Sequence, residues 1–314
     1  MGIKVSVILP AYNTENYIAD SIQSLINQTM SEIEIIAVDD GSTDNTLKIL
    51  RDFEEKYPDK LKVFHKENGG QSQARNLALE MTSGEYIAFV DSDDFVEATM
   101  LEEMYNKATT QKADVVICDI LEHKSDGTTN YYNATDISNK FSVTPSVCNK
   151  IFKSSLAKSE RFPAGIWYED LVYTTRIFMK TDKICAVKKA LYHTNLRDNS
   201  TMRNQNSLKN LDILTAFELL SNSADETLSD ALEFIFIDHI FITAINRVAR
   251  HKTKEKGRVI GKLRRIGLEK YPKFYKSNAF KSMPLKRRII AFLNAYGCHK
   301  VSQFIFSFTS LFKK

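Results

Sequence analysis

The 314-residue sequence predicts an α/β protein with a mostly parallel sheet, followed by an all-helical C-terminal region. Three observations predict it. Apolar runs of strand length alternate with helical patterns from the start of the chain. The strand runs are continuously apolar, as strands covered on both faces are. The charge also changes sign. Residues 1–246 hold 24 Lys+Arg against 37 Asp+Glu, a net of −13, and residues 247–314 hold 19 against 2, a net of +17.

"IKVSVILPAYN" reads as a buried strand ending near Pro10. "ENYIADSIQSLINQ" places Ile18, Ile22, Leu25 and Ile26 at helical spacing. "EIEIIAVDDGS" is a second strand, closed by Asp39 and Asp40 and turned by Gly41-Ser42. A helix is expected from near Thr43, with Leu47, Leu50 and Phe53 on one side. "LKVFHKENGG" is a third strand with a glycine turn, "QSQARNLALEM" a helix, and "YIAFVDSDD" a fourth strand. A helix over roughly 97–110 and the strand "DVVICD" follow. The polar stretch 120–145 is expected to contain a hairpin, and "CNKIFKSSL" and "WYEDLVYTTRIFMK" read as helical. From about residue 205 only helix is expected, so the boundary is drawn at 1–204 and 205–314. The absence of a Pro- or Gly-rich linker suggests that the two regions pack together.

The composition, 43% hydrophobic and 26% charged, is that of a globular chain with a substantial core. No apolar run reaches the roughly 20 residues of a membrane span. Because a strand-like run begins at Ile3, no signal peptide is expected. "MGIKVS" matches the loose myristoylation pattern, and a core strand through Ile3, Val5, Val7 and Leu9 is the simpler reading. Cys118, Cys148, Cys185 and Cys298 are widely spaced without CxxC, so buried reduced thiols and a cytoplasmic location are expected.

In a sheet of this kind ligands bind beyond the carboxyl ends of the strands. Those ends carry Pro10-Ala11-Tyr12-Asn13, Asp39-Asp40-Gly41, Asn68-Gly69-Gly70 and Asp91-Ser92-Asp93-Asp94. Three carboxylates within four residues repel one another. One Asp can cap a following helix; a bound divalent cation would relieve all three. Neither G-x-G-x-x-G nor GxxxxGK[ST] occurs, which excludes the dinucleotide fingerprint and the P-loop. Phosphate would have to be neutralised by metal and arginine. Glu169 and Asp170 stand ahead of Leu171, Thr174, Thr175 and Phe178. They suit a helix start, where acids favour the dipole, and equally a general base.

"VSVILPAYN", "IIAVDDGSTDNT", "NGGQSQARN", "GEYIAFVDSDD" and "YEDLVY", in that order, resemble the family 2 glycosyltransferases. These are inverting enzymes of the GT-A fold that use nucleotide-sugar donors, and the bacterial members build capsule, exopolysaccharide or teichoic-acid glycans. The resemblance covers roughly residues 1–200. It implies that Pro10, Ala11, Tyr12 and Asn13 border the nucleotide, that Asp40 meets the uracil, and that Asn68 and Arg75 also contact it. It makes Asp91-Ser92-Asp93 the D-x-D element of the donor site, with Mn²⁺ or Mg²⁺ held by Asp93 and with Asp91 and Asp94 as further candidates. It makes Asp170 the base and Glu169 an acceptor-orienting residue. Arg197 and Ser200 would contact the diphosphate, and His193 is a candidate further metal ligand, a lone His being more often ordinary. Trp167 reads either as a sugar-stacking or a core residue.

The basic tail contains "RVARHK", "GKLRRIG" and "MPLKRRIIAF". Its last segment places Val301, Phe304, Ile305, Phe308, Leu311 and Phe312 on one helical face. An anionic membrane surface on the inner face of the cell membrane, or an anionic polymer, is ranked first as its partner. A packing or homo-oligomer contact comes second and nucleic acid last. The activity expected is metal-dependent inverting transfer from a nucleotide-diphosphate sugar, UDP-linked, to a glycan or lipid-linked glycan acceptor. Two alternatives stand beside it: a non-catalytic glycan- or partner-binding protein on the same scaffold, and a nucleotidyltransferase. The second would want a Gly-rich basic N-terminal loop, which "LPAYNTENY" is not.

Overall fold

The computed structural model describes residues 2–196 and 205–308, with side chains as far as residue 305. The chain divides into two compact units, Met1–Gly165 with Glu169–Ser200, and Ile166–Tyr168 with Thr201–Lys314.

The first unit is built on one nine-stranded sheet. Strand β1 (Val5–Ala11) is buried along its whole length, as is β2 (Ile33–Asp39). Helix α1 (Ile18–Ile26) joins them and buries Ile18, Ile22, Leu25 and Ile26, as its spacing predicts. Helix α2 (Thr46–Lys56) begins three residues later than expected, because the Asp44 side chain accepts the Thr46 N–H at 2.9 Å and fixes the start. Strand β3 (Leu61–His65), helix α3 (Gln71–Met81) and strand β4 (Tyr86–Phe89) follow. Strands β3, β2, β1 and β4 lie side by side and parallel, so their carboxyl ends open on one edge.

A two-residue strand β5 (Phe95–Val96) and helix α4 (Met100–Gln111) lead to β6 (Val115–His123), which forms the expected hairpin with β7 (Thr129–Tyr132). "CNKIFKSSL" departs from its helical expectation. Lys150–Lys153 form strand β8, antiparallel to both β4 and β6, and only Ser154–Ala157 make a short helix, α5. A short apolar run does not distinguish the two states by periodicity, and here the gap between β4 and β6 decided. Helix α6 (Glu169–Lys180) and strand β9 (Ile184–Asn195) complete the unit. β9 takes in Tyr192-His193-Thr194-Asn195 at its end. It runs parallel to β6, with breaks in register around Asp119, and antiparallel to β5.

The second unit is helical throughout its described residues: α7 (Asp212–Ser221), α8 (Ser229–Phe236), a π-helical run Ile237–Ala244, α9 (Ile245–Arg250), α10 (Lys256–Lys270), α11 (Asn278–Ser282), α12 (Leu285–Ala295) and α13 (His299–Phe308). Its core holds Phe236, Ile240, Phe241, Leu263 and Phe274. Gly267 lets α10 lie against the Phe241 ring, since a Cβ there would fall 2.4 Å from it. The segment Ile166–Tyr168 belongs to this unit. Trp167 N–H donates to Asp212 at 2.9 Å, the Tyr168 hydroxyl donates to Asn210 at 2.9 Å, and Arg247 lies over the Tyr168 ring. Among the described residues no helix is long and apolar enough to cross a membrane. Cys118, Cys148 and Cys185 are buried thiols as expected, whereas Cys298 is exposed, in the turn before α13.

Candidate active site

The carboxyl edge of β1, β2, β3 and β4 gathers the acidic loops. At the end of β1, Pro10 and Ala11 are buried, and Tyr12, just beyond it, is 48% exposed. Asn13 takes a left-handed φ of 49° and binds the loop after β2: its N–H donates to Ser42, and its side-chain oxygen accepts the Thr43 N–H at 2.8 Å. Gly41, φ 75°, permits the close approach of Asn68, because a Cβ there would meet the Asn68 backbone nitrogen at 2.7 Å. Asn68 itself is exposed.

The two acids after β2 divide their work. Asp39 is fully buried. Its Oδ2 lies 2.8 Å from His65 Nδ1 and accepts the Ser42 N–H, while its Oδ1 has no partner. The Asp40 carboxylate folds the glycine loop around itself, accepting from Lys66 Nζ at 2.6 Å, Gly69 N–H at 3.0 Å and Gly70 N–H at 2.7 Å.

The loop after β4 carries Asp91-Ser92-Asp93-Asp94, and the three acids have three environments. Asp91 Oδ1 accepts from Gln71 Nε2 at 2.9 Å and from Arg75 Nη2 at 2.8 Å. Ser92 is buried and Asp93 half-buried, with the Asp93 carbonyl accepting from Asn195 Nδ2 at 2.7 Å. Asp94 is buried. Its carboxyl accepts from the Tyr192 hydroxyl at 2.8 Å and from the Asn195 N–H at 3.0 Å, which ties the loop to β9. Burial first, then the charges of Asp91 and Asp93, push its pKa well above the carboxylate range. Burial and the neighbouring charges thus bias Asp94 toward its neutral form, which eases the repulsion evident in the sequence.

Arg75 joins this loop to the start of α6. On α3 the buried stripe runs Ser72, Arg75, Leu79, so an arginine stands where an apolar residue is usual. Its guanidinium is 1% exposed, lies over the Phe162 ring, and donates to Asp91 Oδ1 and, from Nη1, to Asp170 Oδ1 at 2.7 Å. Glu169 lies 3.7 Å away. Burial opposes the charge on Arg75, and Asp170 and Asp91 outweigh it, so Arg75 is held cationic.

Glu169 and Asp170 open α6 directly after Tyr168, whose φ of 71° is uncommon for an aromatic residue. The first-turn reading of these acids therefore holds. Asp170 is gripped on both oxygens, Oδ1 by Arg75 and Oδ2 by the Val147 N–H at 3.4 Å. Burial raises its pKa and Arg75 opposes the rise. Burial and the neighbouring Asp170 push Glu169 up to about 7.

Beneath the pair lies Lys150, which sequence reasoning missed because its strand was read as helix. It is fully buried, and its ammonium donates to the carbonyls of Thr144 at 2.9 Å and Ser146 at 2.6 Å and to Asn149 Oδ1 at 2.9 Å. Burial pulls its pKa down to about 7, yet three acceptors match the three donors of the charged form.

The structure brings Arg75, Asp91, Glu169 and Asp170 together and sets Asp94 beside Tyr192. His193 is engaged elsewhere. Its Nδ1 lies 2.9 Å from His123 Nε2, its Nε2 lies 2.9 Å from Glu97, and its ring stacks on Phe95. Arg197 and Ser200 lie outside the described residues. Among the described residues no three His, Cys, Asp or Glu side chains converge as a cation cage.

A mostly parallel sheet with acidic loops along its carboxyl edge, locked by a buried arginine to a helix-opening acid pair, defines an α/β enzyme of the GT-A type. The chain belongs to glycosyl transferase family 2, whose model matches residues 6–163. Glycosyltransferase GlyA of Streptococcus pneumoniae is 32% identical over 64% of this chain, which spans only 32% of that protein. The poly(ribitol-phosphate) beta-glucosyltransferase of Bacillus spizizenii is 35% identical over 58% of this chain and 30% of its own length. In fold the chain is similar to the crystal structure of S. aureus TarS 1-349 in complex with UDP-GlcNAc. That likeness has TM-score 0.72 at 24% identity, covering 97% of this chain and 92% of that one. It is also similar to the mannosyltransferase PcManGT from Pyrobaculum calidifontis, in complex with GDP-Man and Mn²⁺, with TM-score 0.61 at 17% identity, 97% and 88% covered.

Proposed function

We propose that this glycosyltransferase moves a sugar, with inversion, from a UDP-linked donor to a hydroxyl of an anionic cell-surface glycan of the teichoic-acid kind. It would work in the cytoplasm, at the inner face of the cell membrane. The observation that carries the reading is the Arg75 bridge, which couples the D-x-D loop at Asp91 to the acid pair at Asp170. Donor and acceptor chemistry thereby meet on one rigid set of side chains. The glucosyltransferase relative supports the acceptor class.

Asp93 and Asp91 suit a divalent cation. Magnesium and manganese sites need only one or two carboxylates when substrate phosphates complete the shell. Bound there, the ion would supply charge to offset that of the leaving diphosphate. Asp94, buried and tied to Tyr192, is left out of this set, and so is His193. Tyr12 and Asn68 offer exposed polar and aromatic surface for the nucleotide, while Asp40 contributes by shaping the glycine loop beside them. Asp170 takes the proton of the acceptor hydroxyl as that oxygen attacks the anomeric carbon. A base with a raised pKa is better matched to that task. Arg75 and the Val147 N–H fix its oxygens in place. Glu169, beside it, orients the acceptor.

The test is transfer from UDP-sugars to a poly(ribitol-phosphate) acceptor with Mn²⁺ or Mg²⁺. Asp170→Asn should abolish transfer while UDP binding, measured by calorimetry, persists. Full transfer by that variant would remove Asp170 from the role.

A further inference from the structure

The second unit carries an apolar surface that its own packing does not use. Helix α12 spends one face on the core: Ile290, Ala291, Asn294 and Ala295 are buried, and Asn294 Nδ2 donates to the Phe241 carbonyl at 2.7 Å. Arg287 on the same helix reaches inward to Asp238. The other side presents Leu285, Ile289, Phe292 and Tyr296, which are 65%, 42%, 44% and 45% exposed. At about 100° per residue these four positions fall on one narrow stripe, and Lys286 and Arg288 occupy the helix positions to either side of it. Tyr275 meets the Phe292 ring edge-on at 6.0 Å and extends the apolar area toward Lys276. Val301 and Phe304 of α13 are exposed as well. From Lys270 to Lys314 the sequence holds ten Lys and Arg and no Asp or Glu.

We propose that this stripe is the surface by which the chain lies on an anionic lipid bilayer, with α12 parallel to the membrane plane. Charge decides between the occupants. A second copy of the chain would set one strongly basic surface against another. A soluble polyanion would satisfy the lysines and arginines and leave the four apolar side chains in water. An anionic lipid surface takes both: the apolar side chains enter the acyl boundary, the tyrosines sit at the headgroup level, and the flanking cations meet the headgroup charge. The inference rests on the functional reading only for its purpose, which is to hold the enzyme near a lipid-linked acceptor. The surface itself stands on α12, and the helix expected to serve from the sequence, α13, becomes its extension.

The experiment is co-sedimentation of the full chain with phosphatidylcholine vesicles and with vesicles that also contain phosphatidylglycerol, without nucleotide or acceptor. Binding is expected only with phosphatidylglycerol. Leu285→Ser with Phe292→Ser, and separately Lys276→Glu with Lys286→Glu, should each weaken partitioning by at least about tenfold, with far-UV circular dichroism and melting unchanged. Three results would overturn the proposal: no binding to either vesicle, binding unaffected by the apolar pair, or an apolar pair that changes sedimentation of the free chain instead. The second result points to a soluble polyanion, and the third to self-association. Because no donor is present, failure here is distinguishable from failure of the transfer assay.

Discussion

Replacing Arg75 by Met keeps the aliphatic volume over Phe162 and deletes the guanidinium. Two charge-assisted hydrogen bonds disappear, to Asp170 at 2.7 Å and to Asp91 at 2.8 Å. Bonds to charged groups contribute about 1.5–3 kcal/mol each, and breaking a buried ion pair costs about 3–5 kcal/mol. The side chains of Asp91 and Asp170 keep 30% and 24% exposure, so water recovers part of this. The expected loss is about 3 kcal/mol near neutral pH, read as a shift of the urea midpoint at constant slope. A second readout checks the cause. Without Arg75 the counter-charge that restrains Asp170 is gone, so its carboxyl protonates at higher pH. Protonated acids need no counter-charge, so the loss should shrink as the titration is repeated from about pH 8 down to about pH 5. A loss below about 1 kcal/mol, or one independent of pH, would refute the view of Arg75 as a buried counter-ion. Arg75→Lys should fall between, since one ammonium cannot reach both acids with the geometry of the fork.

Glu169 titrates near 7 in the fold against an ordinary 4.5. Between those values the folded chain holds more protons than the unfolded chain, so stability should fall as pH rises through that window, and Glu169→Gln should flatten the fall. The transfer rate should move the other way, rising with pH toward a plateau above about 7 as the pair ionises. Asp93→Asn should remove the stimulation of UDP-sugar turnover by Mn²⁺, whereas Asp94→Asn should keep it, because Asp94 is buried with its two oxygens bonded to the Tyr192 hydroxyl and the Asn195 N–H; equal loss in both would contradict the division made between them. Lys150→Met strips the donor from two carbonyls and Asn149, and should cost about 2–4 kcal/mol in urea unfolding. It should also lower transfer by loosening the loop whose Val147 N–H holds Asp170; wild-type stability would count against that support.

Much of the fold could be read from residues alone because its signals are local. The apolar runs at Val5–Ala11 and Ile33–Asp39 are buried on both faces, and Ile18, Ile22, Leu25 and Ile26 point one way by helical period. What failed was a segment whose state depends on neighbours distant in sequence. Lys150–Lys153 is a strand because β4 and β6 leave a gap of strand width, and nothing within "CNKIFKSSL" states that gap. The end of β9 likewise rests on distant partners, Tyr192-His193-Thr194-Asn195 pairing with β6 and its first two residues also with β5.

The candidate site shows the same limit from the side of electrostatics. Sequence alone places Asp91, Asp93 and Asp94 at a strand end and leaves their mutual repulsion as the question. The structure divides the answer. One charge is paired with a buried arginine ninety-five residues before the acid it also holds. One is buried beside a tyrosine from another strand, where desolvation biases it toward the neutral form. The third, Asp93, is half-buried and is the acid to which the proposed function assigns a cation. Arg75 did leave a trace, a charged residue on the buried stripe of α3 between Ser72 and Leu79. A buried charge needs a partner, and Asp91 and Asp170, distant from the stripe in sequence, supply two.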